Sequence, residues 1–87
     1  MGMALSTELP LGALLAPFSI REIAAASGLS AKDIGRWRTG ARVPSSGPNV
    51  RGLAKALMAL RAEQGLPCGD YAETIAEVWA ATRKANP

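Results

Sequence analysis

Apolar residues recur along this chain every three or four positions, the period of helices that bury one side. Leu9, Leu11, Leu14 and Leu15 form the first stripe. Pro10 is compatible with a first helical turn, so the pattern predicts a short helix from Leu9 to Ala16, ending before Pro17. Ser19-Ile20-Arg21-Glu22 has the form of a capping box, in which Ser19 accepts from a first-turn amide and Glu22 reaches back. The helix it opens runs through Ala26 or Ser27 and stops at Gly28, a natural left-handed terminator. Ser30 then caps a helix from Ala31 to about Arg38, and Gly40 closes it.

Residues 40–48 hold two Gly, two Pro and two Ser, and read as loop. From Asn49 or Val50 the apolar positions Val50, Leu53, Ala54, Leu57 and Leu60 predict an amphipathic helix, broken by Gly65-Leu66-Pro67. Asp70 and Glu73 form a further capping box before Tyr71, Ile75, Val78, Trp79 and Thr82, the stripe of a last helix over about 70–85. The expected fold class is all-α: a compact five-helix bundle in one domain spanning residues 1–87, with no strands and no internal repeat.

Composition supports the helices. Of the 87 residues, 17 are Ala and 10 are Leu, while Val and Ile together number seven; Ala and Leu lose little entropy in a helix, whereas β-branched residues suit strands. The core of so short a chain is small, and a dimer would add to its stability. There is no His, which removes the commonest general base and metal ligand. Cys68 stands alone in a connector, so neither an internal disulfide nor a thiolate metal site is expected. With no Gly-rich phosphate loop, paired-carboxylate site or nucleophile–base pair, neither an enzyme nor a cofactor is expected. No apolar run approaches a membrane span, and the first basic residue is Arg21, so the expected setting is a soluble cytoplasmic one.

Charge changes the picture. The net +3 hides a basic middle: residues 19–55 carry Arg21, Lys32, Arg36, Arg38, Arg42, Arg51 and Lys55 against Glu22 and Asp33 alone. The segments on either side each sum to −1. A local excess of cations suits contact with a polyanion.

The most informative stretch is Ile20 to Thr39. Two short helices joined by Ser27-Gly28-Leu29-Ser30 can pack steeply if three demands are met. Ala24 offers a small residue where the second helix crosses the first, Gly28 accepts a positive φ in the turn, and Ile34 and Trp37 give the second helix a buried face. Ile23 and Leu29 complete the inner surface, and Trp37 belongs in the core rather than on a base. This is the pattern of a helix-turn-helix. It resembles the DNA-binding domains of phage repressors and Cro proteins, the lambda-repressor-like or XRE family. The shared pattern runs Ile23-Ala24, Gly28-Leu29, Ile34, Trp37 and Gly40, then Arg42 and Pro44. Leu53-Ala54-Lys55-Ala56-Leu57 looks like that family's fourth helix, so the resemblance covers about residues 9–60. The chain differs in its short first helix with Pro10 and Gly12, in Gly35 within the third helix, and in the helix after Gly65.

The resemblance implies double-stranded DNA as the partner, with the helix 31–38 in the major groove. Ala31, Lys32, Gly35, Arg36 and Thr39 would then face base edges. Arg36 is the foremost reader, suited to guanine O6 and N7, while Ala31 suits a thymine methyl. Ser19, Arg21, Ser30, Arg38, Arg42, Asn49 and Arg51 would contact phosphates and fix the register. The implied function is a sequence-specific transcriptional regulator, a repressor of the phage or prophage type in a bacterial host cell. It would bind an inverted repeat as a homodimer. Tyr71, Ile75, Val78 and Trp79 on the last helix either finish the monomer core or form the dimer surface. Two alternatives carry weight: an antitoxin-like module that binds a protein partner through that helix, and a small excision or architectural DNA-binding factor.

Overall fold

The computed structural model describes residues 10–85, and within them the chain is helical with no strand. Five helices follow in order: α1 (Leu11–Leu15), α2 (Ile20–Ser27), α3 (Ala31–Thr39), α4 (Gly47–Gln64) and α5 (Tyr71–Ala85). The expected start of the first helix at Leu9 lies outside the described residues. The Cα radius of gyration, 12.2 Å, is that of a compact chain of this length, for which about 12 Å is usual.

Local chemistry sets most boundaries. The Ser19 hydroxyl accepts the Glu22 N–H at 3.0 Å, and the Glu22 carboxylate accepts the Ser19 N–H at 2.9 Å. Asp70 and Glu73 repeat the arrangement at the head of α5, at 2.8 and 2.9 Å. α2, α3 and α4 each end on a glycine in the left-handed region: Gly28 (φ 74°), Gly40 (φ 86°) and Gly65 (φ 69°). α4 begins earlier than the run of apolar residues indicates. Ser46 accepts the Asn49 N–H at 3.3 Å, and Pro48 falls in the first turn, where its missing N–H costs nothing. The loop therefore ends at Ser46 instead of running on to Pro48.

α4 is the central element. It packs against α2 on one side and α5 on another, while α1 lies against both α3 and α5, and α2 against α3. Leu11, Leu15 and Phe18 from the α1 region meet Ile23, Ile34 and Trp37 of α2 and α3 in one core with Val50, Leu53 and Leu57 of α4. Val78 and Ala81 close that core from α5. Thr74 and Thr82 are also buried, and their hydroxyls donate to the carbonyls of Asp70 and Val78 four residues earlier, each at 2.8 Å. Neither leaves a buried polar atom unpaired.

Two glycines permit close crossings. A Cβ on Gly12 would run into the backbone carbonyl oxygen of Arg38, so α1 meets α3 nearly backbone to backbone. A Cβ on Gly52 would sit 3.0 Å from Leu29 Cδ1 and 3.4 Å from the Ser27 carbonyl oxygen. α4 thus tucks directly beneath the α2–α3 turn.

Candidate nucleic-acid interface

α3 has two unlike sides. Ile34 and Trp37 are buried, whereas Ala31, Lys32, Arg36 and Thr39 are exposed. Lys32, Arg36 and Thr39 recur at intervals of four and three, so they share a face. Ser30 starts the helix by accepting the Asp33 N–H at 3.4 Å. At the far end the Thr39 hydroxyl donates to the Arg36 carbonyl at 3.2 Å, and the Arg42 N–H donates to the same oxygen at 3.3 Å. Arg42 is thereby anchored by its backbone at the C-terminus of α3, with its side chain exposed.

Among the described residues the one ion pair is Arg61–Glu77, at 2.8 Å between α4 and α5. None of the seven cations between Arg21 and Lys55 has a carboxylate within ion-pair distance among the described residues. Glu22, the nearest acid in sequence to Arg21, is held in its capping box.

Helix starts differ in how they treat an anion. The first turn of α2 contains Glu22 and that of α3 contains Asp33, whereas the first turn of α4 has no acid. Arg51 folds over that turn, with Nη1 3.0 Å from where a Cβ on Gly47 would lie. Asn49 and Arg51 therefore lie at the one of these three starts where the positive end of the helix dipole is unopposed.

Several expected roles change. Arg38 is half-buried, and its Nη2 donates to the Ala16 carbonyl at 3.2 Å, a bond that ties the guanidinium to the end of α1. Gly35 lies at the flank of the outward face, since a Cβ there would meet Ile20 Cδ1 of α2 at 3.6 Å. Val78 is fully buried and belongs to the core, so it drops out of the candidate dimer surface. Ile75 and Trp79 are half-buried against the core, and Tyr71 remains exposed.

Lys55 is exposed one helical turn beyond Arg51 on α4 and joins the candidate set, though the motif did not single it out. Its i, i+4 spacing from Arg51 is a signal that the sequence carries. No helix among the described residues is long and apolar enough to cross a membrane. Comparison of the chain with protein-family models, with curated proteins and with solved structures finds no match.

Proposed function

We propose that this chain is a sequence-specific double-stranded DNA-binding regulator in which α2 and α3 act as a helix-turn-helix of the lambda-repressor-like type. The supporting observation is α3 itself: a helix anchored by Ile34 and Trp37 that turns two cations, Lys32 and Arg36, outward on one face, neither in an ion pair among the described residues. Four residues apart, they project together into a groove that admits one helix. Arg36 reads guanine, with Lys32 beside it, and Ala31 meets a thymine methyl. Arg42, Arg51 and Asn49, with Ser30, Ser19 and Arg21, grip phosphates on either side and carry no sequence information.

The regulator acts as a repressor where its operator overlaps a promoter, and as a homodimer on an inverted repeat. The half-site centres then lie about 34 Å apart, one helical turn. Tyr71 supplies the exposed aromatic of the dimer contact, beside the half-buried Ile75 and Trp79. Large aromatic residues are favoured at such surfaces.

Selection from a random duplex library at about 0.15 M salt, where purely ionic binding is weakened, tests this reading. Enrichment of one inverted repeat is the expected result. A single unrepeated site would remove the dimer and keep the reader. Salt-sensitive binding with no enriched sequence would reduce the basic face to an electrostatic footprint and sink the proposal.

A further inference from the structure

We propose that Arg38 is a positioning residue for base reading: by clamping the C-terminal end of α3 to α1 it sets the angle at which Arg36 meets the bases, and it makes no phosphate contact. The inference rests on the DNA-reading function proposed above.

Two contacts converge on this one residue from the same five-residue helix. The Arg38 backbone carbonyl lies over Gly12, where no side chain fits, and the Arg38 guanidinium donates to the Ala16 carbonyl at the other end of α1. α1 is a firm platform, because Leu11, Leu14 and Leu15 are all buried. Its last turn contains no basic residue of its own, so Arg38 supplies the donor that the final carbonyls of a helix lack.

The N-terminal half of α3 needs no such help, since it follows α2 directly through the Gly28 turn and its first turn is capped by Ser30. The C-terminal half has only Trp37 as a buried anchor beyond Ile34. Arg36 is two residues from the clamp, and a bidentate contact with guanine depends on direction as well as reach. Releasing the clamp therefore misaims Arg36 without removing a charge from the DNA-facing side.

The test uses the purified full chain, the duplex enriched in the selection above, and the same duplex altered at the base pair read by Arg36. Binding is measured by fluorescence anisotropy over a range of salt for the wild type, Arg38→Lys and Arg38→Met. Circular dichroism confirms that each variant is folded. Both variants are expected to lose preference for the selected duplex about tenfold or more, while the slope of log K against log salt stays that of the wild type. Gly12→Ala, which loosens the other half of the contact, should lower the preference in the same way. This keeps the inference testable if Arg38→Met does not fold.

A slope reduced by about one unit in Arg38→Met, with preference retained, would make Arg38 a phosphate contact and overturn the inference. Preference unchanged in Arg38→Lys and Gly12→Ala would overturn it as well. A wild type that enriches no duplex defeats the DNA reading itself, and this inference with it; a selective wild type with equally selective variants defeats the inference alone.

Discussion

Gly12 faces the backbone carbonyl of Arg38 so closely that a Cβ at position 12 would collide with that oxygen. The obstacle is backbone, which cannot rotate away as a flexible side chain can, so α1 or α3 must move. Gly12→Ala is expected to destabilise the fold by about 1–3 kcal/mol, the usual range for overpacking. This outweighs the better helix propensity of Ala. Urea denaturation followed by circular dichroism measures it, and a midpoint at or above that of the wild type would contradict the close approach.

Gly35 offers the opposite case. A Cβ there meets Ile20 Cδ1 at 3.6 Å, ordinary van der Waals contact. Gly35→Ala is therefore expected to raise stability by up to about 1 kcal/mol through helix propensity alone. The same denaturation assay reads the sign.

Capping gives a third stability test. Ser19→Ala removes the hydroxyl that accepts the Glu22 N–H and should cost about 1 kcal/mol. Asp70→Ala at the head of α5 should cost a similar amount, since its carboxylate accepts the Glu73 N–H. The two boxes lie on different helices and share no residue, so the double variant should show nearly the sum.

Arg61 and Glu77 make a bidentate pair across α4 and α5, both bonds at 2.8 Å. Hydrogen bonding to Arg61 holds the Glu77 carboxyl below the usual carboxylate range, partly offset by burial. A depressed folded-state pKa gives stability that is present above the unfolded value and lost as pH falls through the folded one. Thermal melts should accordingly show the wild type losing stability on acidification below the ordinary carboxylate range, with Glu77→Gln flattening that limb. Glu77 is 41% exposed, so solvent screening limits the effect to about 1 kcal/mol or less. An unchanged acid limb in Glu77→Gln would show that the pair adds nothing to folding.

On DNA, Arg36 and the flanking cations should fail differently. Arg36→Ala is expected to cost about 1–3 kcal/mol on the selected duplex and to relax preference at one base pair. Arg42→Ala and Arg51→Ala should weaken binding evenly across sequences and lower the salt slope by about one unit each. Equal loss of sequence preference in all three would show that Arg36 does not read bases.

The helices and their ends were legible because each is decided within a few residues. Ser19 and Glu22, Asp70 and Glu73, and the three left-handed glycines act through neighbours three or four positions away. The start of α4 is not legible in this way although its cap, Ser46, is also local. The cluster of Gly and Pro around it reads equally well as loop, and Pro48 is neutral in a first turn. Of the candidate interface, the shared outward face of Lys32 and Arg36 follows from helical spacing, and the bond from Arg38 to the Ala16 carbonyl does not.

By itself, then, the sequence determined an all-helical chain, the boundaries of α2 and α3, and a basic middle with Ile34 and Trp37 turned in. Periodicity, caps and charge counts are sums over near neighbours. Only the tertiary structure decided that Gly12 lies on Arg38, that Gly52 lies beneath Leu29, that Arg61 pairs with Glu77, and that Val78 is core while Tyr71 is surface. These contacts join residues far apart in the chain, and they depend on where whole helices come to rest. A stripe of apolar residues states that a helix has a buried side; how much of that side is covered depends on the shape of what packs against it.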